Sequence, residues 1–302
     1  MLPLIYHPDY SCDFPDNHRF VMSKFHRLFD YAIAQNLILQ DRRNLFQPTK
    51  ASLSDLSIAH DHRYLVKLTH NELSRKSMLR IGLPWSEGLI TRTLLEPNGT
   101  LLTACKALQF GIACHLGGGT HHAHHDFGSG YCMVNDLAYT ALTLINNNTV
   151  NKILIFDLDV HQGDGTAAIL ASQPQIYTCS MHCQKNFPFR KSESDLDIGL
   201  PVDMADGDYL KLVQQTFNQL LEQVKPDLVL YDAGVDVWQH DGLGKLNISW
   251  QGIAARDHIV LSRCLEDTIP VATVIGGGYD SNHANLAKRH AIILEQAAQL
   301  LS

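Results

Sequence analysis

Three side chains that can bind a metal alternate in the segment Asp157-Leu-Asp-Val-His161. In an extended strand every second side chain points to the same face, so Asp157, Asp159 and His161 would share one face. Buried carboxylates are costly unless a cation or hydrogen-bond donors compensate them, and imidazole with carboxylate oxygen suits zinc. The spacing therefore predicts a metal site. The alternative is a strand end whose acids cap the following helix.

A further carboxylate, that of Asp236, follows another apolar segment in Tyr231-Asp-Ala-Gly-Val-Asp236. This residue could complete a set of three protein ligands with Asp159 and His161. Three ligands leave one position of a tetrahedral zinc ion open for water, which is typical of catalytic sites. The pattern therefore favours a metal that takes part in catalysis.

Two adjacent histidines, His121 and His122, follow three glycines in the segment Gly117-Gly-Gly-Thr-His-His-Ala-His-His125. Glycine lets the backbone pass close to a ligand, and histidine titrates near neutral pH. These properties make His121 and His122 candidates for proton transfer beside an activated water. A histidine-rich surface tract is the other interpretation, and it fits His124 and His125 better.

A second glycine-rich turn, Gly276-Gly-Gly-Tyr279, ends in a tyrosine. Three glycines after a strand also suit a phosphate-binding turn, but that motif usually continues with Lys or Ser/Thr. A phenol near a metal can donate a hydrogen bond to the oxyanion of a tetrahedral intermediate. We therefore predict that Tyr279 stabilises an oxyanion.

Short apolar segments bounded by Gly, Asp or Pro predict buried strands. These segments are Leu2–Tyr6, Ile112–Leu116, Lys152–Asp159, Ile176–His182, Asp227–Gly234 and Val271–Gly276. Apolar residues three and four apart predict helices at Tyr209–Val224 and Ile253–Leu265, and Ile81–Gly88 is predicted to be a surface loop. The alternation predicts an α/β fold, a three-layer α/β/α sandwich with a mainly parallel central sheet, formed by residues 1–302 as one domain. Ligands of such sheets bind beyond the carboxyl ends of the strands, where four polar loops would converge.

Composition excludes several classes of function. The 302-residue chain has a formal charge of −7 and no basic cluster long enough to grip a phosphate backbone, so we expect no direct binding of nucleic acid. An acidic surface weakly favours cationic ligands such as lysine-rich tails or polyamines. The seven cysteines form no Cys-x-x-Cys pair, which indicates a reduced, cytoplasmic protein. Neither a long apolar run nor a signal-peptide pattern is present, so we expect no membrane span and no export.

Four motifs, in their order along the chain, resemble those of the histone deacetylase-like hydrolases, which have the arginase/deacetylase fold. The motifs are G-G-G-x-H-H-A, D-L-D-x-H-x-G-D-G, A-G-x-D and G-G-G-Y, and the resemblance covers nearly the whole chain. The stretch from Ala233 to Ser249 is similar to the class IV-like branch, which includes bacterial members.

The resemblance implies a role for each candidate residue. The implied zinc ligands are Asp159, His161 and Asp236. His122 would be the general base and acid, with His121 as its partner, and Tyr279 would polarise the substrate carbonyl. Asp164 would orient His122, and Asp157 would orient His121.

The resemblance also implies a structural potassium ion beside the zinc. Its ligands would be Asp157, Asp159, His161, Ser180 and the carbonyl of Met181. This ion follows from the resemblance alone.

Further residues match positions that bind the substrate in the family. Those that would line a narrow acyl-lysine tunnel or contact the substrate are Gly130, Tyr131, Phe187, Leu243 and Gly277. Arg19 resembles the residue that guards the channel for the product acid. The alternative for the apolar residues is an ordinary place in the core. Before Pro84 the chain reads Arg80-Ile-Gly-Leu, where many histone-directed relatives have an acid that grips the substrate backbone, so whether histones are substrates stays open.

Together the motifs predict zinc-dependent hydrolysis of acyl-lysine or a related acylated amine. A binuclear manganese ureohydrolase of the same fold is one alternative, although its D-A-H-x-D and D-x-D-x-x-D-P patterns are absent. A non-catalytic module that binds acyl-lysine or a metabolite is another. Acyl length, the carrier of the amine and the oligomeric state stay open.

Overall fold

One sheet of eight strands forms the centre of the protein, which we describe from a computed structural model covering residues 1–302. The strands are β1 (Leu4–Ile5), β2 (Leu45–Phe46), β3 (Ile112–His115), β4 (Ile153–Asp157), β5 (Ile176–Cys183), β6 (Leu196–Leu200), β7 (Leu228–Asp232) and β8 (Val271–Val274). Their order is β2-β1-β3-β8-β7-β4-β5-β6, and every neighbouring pair is parallel. The sheet is thus wholly parallel, where the sequence predicted a mainly parallel one.

Ten α-helices connect and cover the strands. They are α1 (Lys24–Ala34), α2 (Leu53–Leu56), α3 (His62–Thr69), α4 (Arg75–Ile81), α5 (Glu87–Phe110), α6 (Asp136–Asn146), α7 (Asp164–Leu170), α8 (Asp206–Val224), α9 (Trp250–Glu266) and α10 (His283–Leu300). Most begin with a side chain that accepts a backbone N–H, as Ser249 does at α9 and Asn135 at α6. No helix is both long enough and apolar enough to cross a membrane.

The two faces of the sheet bury separate apolar clusters, and β4 shows how. Leu154 and Phe156 belong to a cluster of 61 buried residues, whereas Ile153 and Ile155 belong to a second cluster of 17. Successive side chains of a strand point to opposite faces, so the sheet is covered on both sides. The predicted α/β/α sandwich is confirmed.

All six predicted strands and both predicted helices are present, with ends shifted by a few residues. The two strands that the sequence did not reveal, β2 and β6, are the edges of the sheet. β2 has only two residues, and β6 alternates between half-buried and exposed positions, so neither has a continuous apolar run. The predicted loop Ile81–Gly88 is shorter, because α4 ends at Ile81 and α5 begins at Glu87.

Four neighbouring strands, β3, β8, β7 and β4, bring the predicted functional loops together. Their carboxyl ends lie at one edge of the parallel sheet, and in register Asp157 of β4 is opposite Asp232 of β7. The loops that follow contain His121 and His122 after β3, His161 after β4, Asp236 after β7 and Tyr279 after β8. The site therefore lies where ligands of parallel sheets usually bind.

Candidate active site

Asp159, His161 and Asp236 form one compact, buried group of possible metal ligands. His161 Nδ1 is 3.1 Å from Asp159 Oδ1 and 3.1 Å from Asp236 Oδ2. Asp159 and His161 follow β4, and Asp236 follows the adjacent β7, so the parallel register brings them together. The structure thus assembles the three residues that the motifs singled out.

Two glycines make room for these carboxylates. A Cβ atom at Gly277 would overlap Asp236 Oδ2, and one at Gly234 would overlap Asp159 Oδ2. The N–H of Gly277 donates a hydrogen bond of 2.7 Å to Asp159 Oδ2. Gly277, which the resemblance assigned to substrate binding, therefore lies directly against two residues of the metal-ligand group.

The group fits a divalent cation in its chemistry. Two buried carboxylates and one imidazole converge, and burial followed by repulsion from Asp159 raises the pKa of Asp236 to about 6. Two such carboxylates without a cation are unfavourable, and oxygen with imidazole nitrogen is a ligand set that zinc accepts. The donor set thus agrees with a bound metal ion.

A hydrogen bond to Asp164 fixes the orientation of the His122 ring. Its Nδ1 lies 2.6 Å from Asp164 Oδ1, and a carboxylate at that position keeps the proton on Nδ1 and leaves Nε2 free to accept one. Burial, followed by the charge of His121, lowers the pKa of His122 to about 4. His122 is therefore neutral near pH 7, as a general base must be.

His121 lies in a different electrostatic environment, although it is adjacent. Burial alone would lower its pKa, but Asp157 and Asp159 outweigh burial and raise it well above the usual value. Its Nδ1 is 2.8 Å from Asp157 Oδ2. One histidine is thus neutral and its neighbour is cationic, with ring centroids 4.2 Å apart.

Asp164 also pairs with a histidine that the sequence interpretation had left to a surface tract. His124 Nε2 lies 3.0 Å from Asp164 Oδ2, so the carboxylate lies between His122 and His124. His125 is exposed. The surface-tract interpretation therefore holds for His125 only.

The loop that contains His121 and His122 is clamped by Asn135 and Asp136 at the start of α6. Asp136 accepts hydrogen bonds from the N–H groups of Gly119 (3.1 Å) and Thr120 (2.7 Å). Asn135 Nδ2 donates to the carbonyls of His121 (3.3 Å) and of Ala123 (3.1 Å). The sequence reasoning missed these two residues, although an Asn before an amphipathic run is a helix-capping signal.

Asp232 is a further residue that the sequence reasoning missed. It is fully buried at the end of β7, and neither carboxylate oxygen has a hydrogen-bond partner. Burial and the neighbouring Asp157 raise its pKa well above the usual value. With His121 and Asp157 it forms a second group of possible metal ligands.

A cavity of about 380 Å³ leads from the surface to this site. The predicted tunnel residues Gly130, Tyr131, Phe187 and Leu243 all line it. The Phe187 ring packs edge-on against His122, with centroids 4.9 Å apart. Asn186 fixes one wall, because its Nδ2 lies 3.3 Å from His161 Nε2 and donates to the Leu243 carbonyl at 2.7 Å.

Tyr279 stands between this tunnel and a smaller inner cavity, since it lines both. Its backbone N–H donates to Asp241 Oδ2 at 2.7 Å, which holds the turn in place. Burial and the nearby Asp236 raise the pKa of the Tyr279 phenol well above 10, so the phenol keeps its proton and can donate. His122 and His161 also line both cavities.

The inner cavity has a volume of about 40 Å³, and two buried cationic side chains, Lys24 and Arg92, line it. Lys24 Nζ donates to the Gly276 carbonyl at 3.2 Å, and burial lowers its pKa to about 8. Arg92 pairs with Glu96 at 2.6 Å. Arg19, predicted to guard the acid channel, is exposed and lines a separate outer depression next to Tyr279.

Two strands contain the residues Asp157, Ser180 and Met181, which were predicted to bind potassium together with Asp159 and His161. Ser180 of β5 is opposite Asp157 of β4 in register, and Met181 follows it. Ser180 Oγ is 3.0 Å from His182 Nδ1, and Asp157 Oδ1 accepts the N–H of Asp159 at 3.0 Å. The parallel register thus places Ser180 beside Asp157.

Comparison with known proteins establishes the family. Residues 18–295 match the profile described as "Histone deacetylase domain". The chain belongs to the histone deacetylase family. It is 46% identical over 291 residues to an uncharacterized protein of Picosynechococcus sp. (strain ATCC 27264 / PCC 7002 / PR-6), covering 96% of each chain.

The chain is also similar to more distant proteins. The chain is 27% identical to Histone deacetylase 2 of Arabidopsis thaliana, over 94% of this chain and 76% of that protein. It is 28% identical to the acetoin utilization protein AcuC of Staphylococcus aureus (strain MRSA252), over 88% of this chain and 74% of that protein. A crystal structure described as an HDAC homolog complexed with SAHA has the same fold, with a TM-score of 0.81 at 22% identity over 99% of this chain and 88% of that chain. Family and fold indicate a deacetylase-type hydrolase.

Proposed function

We propose that the protein is a zinc-dependent deacylase that hydrolyses the amide bond of acyl-lysine or a related acylated amine. The observation that carries this proposal is the junction of the two cavities. A possible metal-ligand group, a neutral histidine with a carboxylate behind it and a protonated tyrosine meet there. These are the parts that metal-assisted hydrolysis of an amide requires.

Asp159, His161 and Asp236 would hold the zinc ion. When bound, it would polarise the amide carbonyl and make a water molecule more acidic. The same proposal includes a structural potassium ion. Its ligands would be Asp157, Asp159, His161, Ser180 and the carbonyl of Met181. Zinc suits the O, N, O ligand set with an open position.

His122 Nε2 takes the proton from the attacking water, and the water oxygen bonds to the amide carbon. Asp164 keeps the His122 ring oriented while it gains a proton, because the carboxylate accepts the hydrogen bond from Nδ1. The C–N bond then breaks, and the protonated histidine gives its proton to the leaving amine. Free amine and carboxylic acid are the products.

Tyr279 donates its phenolic hydrogen to the oxygen that becomes negative when water adds to the carbonyl. His121, adjacent to His122 and bonded to Asp157, would share positive charge with it. The alkyl chain of the amine would be surrounded, and water excluded, by Gly130, Tyr131, Phe187 and Leu243.

We assign the enzyme to the cytoplasm, because its seven cysteines are all unpaired.

A binuclear metallohydrolase is a second candidate, favoured by the group formed by His121, Asp157 and Asp232. Metal analysis and a substrate panel separate the two. We expect one zinc ion per chain and release of free amine from acetyl-lysine peptides by metal-defined enzyme. Two manganese ions per chain with ureohydrolase activity would favour the second candidate. A zinc-loaded protein that binds acyl-lysine without hydrolysing it would favour a binding module.

A further inference from the structure

The outer mouth of the tunnel contains cationic side chains and no acidic one. Of the 15 residues that line the tunnel, three are Arg80, Lys185 and Lys245, and none is Asp or Glu. The whole chain has the opposite balance, with 24 Lys and Arg against 31 Asp and Glu. The local charge at the mouth is therefore opposite in sign to the net charge of the protein.

The three cations come from three separate elements. Arg80 is in the last turn of α4, Lys185 follows β5, and Lys245 lies in the segment between β7 and α9. All three are exposed, and none takes part in an ion pair. Their charges are thus free to interact with a ligand at the mouth.

The contacts of Lys245 and Arg80 leave the charges of these two side chains uncompensated. Lys245 Nζ donates to the carbonyl of Lys185 at 3.0 Å, and the Arg80 guanidinium lies over the Phe127 ring at 4.5 Å. A neutral carbonyl or an aromatic face leaves the positive charge of each cation uncancelled. An adjoining depression does contain Asp16 and Asp280, but Asp280 is paired with Arg289 at 2.7 Å.

Exposed apolar side chains stand beside the cations. Phe189 is 98% exposed and Leu79 is 71% exposed, and both line the same cavity. Such side chains at the rim of a tunnel extend the contact surface beyond the reach of a small amine. They favour a substrate that continues past the acylated nitrogen as a chain.

We propose that the substrate is an acyl-lysine within a peptide or protein segment that has acidic residues next to the lysine. This inference rests on the proposed deacylase function and narrows its substrate class. Carboxylates next to the lysine would meet Arg80, Lys185 and Lys245, whereas the basic residues of a lysine-rich tail, or a polyamine, would be repelled. The net charge of the chain alone favoured cationic ligands, and the local charge at the tunnel mouth favours acidic ones instead.

The test compares acetyl-lysine peptides of equal length with acidic, neutral or basic flanking residues. Binding is measured by fluorescence anisotropy and hydrolysis by kcat/KM, both on the zinc-loaded enzyme at low and at high salt. We expect the acidic peptide to exceed the basic one roughly tenfold in kcat/KM, mainly through KM, since exposed ion pairs are individually weak. Added salt should shrink this difference because these charges are in water.

The double variant Lys185→Glu/Lys245→Glu should reverse the order of the peptides. Its matched control, Lys152→Glu/Lys211→Glu, makes the same change of charge at two exposed lysines that do not line the tunnel, and should keep the order. An equal preference for acidic and basic peptides, or an order that survives the charge reversal, would overturn the inference. Free Nε-acetyl-lysine hydrolysed as well as the acidic peptide would overturn the peptide part of it.

Failure of the proposed function gives a different result. If the acidic peptide binds selectively but no peptide is hydrolysed, the charge preference stands and the deacylase activity fails. If all peptides are hydrolysed with the same kcat/KM, the activity stands and the charge preference fails. The binding and kinetic measurements thus separate the two proposals.

Discussion

His122 Nδ1 lies 2.6 Å from Asp164 Oδ1, and the same carboxylate contacts His124 through its other oxygen at 3.0 Å. Asp164 is at the start of α7, whose first turn favours a negative charge. Burial opposes ionisation, but the hydrogen bonds from His122 and His124 outweigh burial, and the pKa of Asp164 falls well below its usual value. An ionised Asp164 thus selects the His122 tautomer with a free Nε2.

We expect His122→Ala to lose more activity than His121→Ala, with zinc still bound in both. His122 is neutral near pH 7 and can accept a proton, whereas His121 is already protonated. Single-turnover rates at matched zinc occupancy measure the difference. A more damaging His121→Ala would exchange the two roles.

Asp164→Asn should lower the single-turnover rate while leaving zinc content unchanged. An amide in place of the carboxylate no longer favours the His122 tautomer with a free Nε2. The matched control is Asp208→Asn on the exposed surface of α8, which should turn over at the wild-type rate. An unchanged rate in Asp164→Asn would show that His122 does not need this partner.

Tyr279→Phe should lower kcat about 100- to 1,000-fold while zinc content and folding stay intact, because the phenol acts mainly in the transition state. Tyr139→Phe is the matched control, since it removes a hydroxyl that bonds Asn98 instead. Steady-state kinetics on both variants measure the effect. A wild-type kcat in Tyr279→Phe would remove this residue from the mechanism.

Asp159→Ala, His161→Ala and Asp236→Ala should each lose tight zinc binding and activity, because three ligands allow no redundancy. The readout is zinc content after dialysis, with Asp208→Ala as the surface control. Full turnover with one zinc ion retained in any of the three ligand variants would place the metal elsewhere.

Stability of the metal-free protein should fall as the pH decreases from about 6.5 towards 4. Burial lowers the pKa of His60 to about 4, of His115 to about 3 and of His182 to about 4. At each of these three histidines the unfolded chain binds a proton in this window that the folded chain does not, so acid favours unfolding, by about 1.4 kcal/mol per pKa unit for each group. Asp236, whose pKa is raised to about 6, takes up its proton in the folded state and offsets part of this loss. Urea midpoints measured from pH 7.5 to 4.5 would reveal this trend. A midpoint independent of pH would contradict it.

The residues that carry the chemistry were predictable from the sequence because each lies in a short motif that is recognisable by itself. Asp157, Asp159 and His161 alternate within five residues, a spacing that indicates metal ligands, although β4 ends at Asp157 and the other two residues lie in the loop that follows it. The six central strands were visible because both of their faces are buried, which requires continuous apolar runs. The edge strands β2 and β6 lack such runs and were not predicted.

Only the tertiary structure decided which residues, distant along the chain, contact the residues of the candidate active site. Asn135 and Asp136 hold the His121–His122 loop, and Asp232 lies beside Asp157, through contacts that no local pattern contains. The distribution of charge over the surface was likewise decided by the tertiary structure. The sequence determines the net charge of −7, but folding gathers Arg80, Lys185 and Lys245 at one mouth. Electrostatic interactions depend on distance in space, and distance in space between these residues is set by the packing of helices and strands.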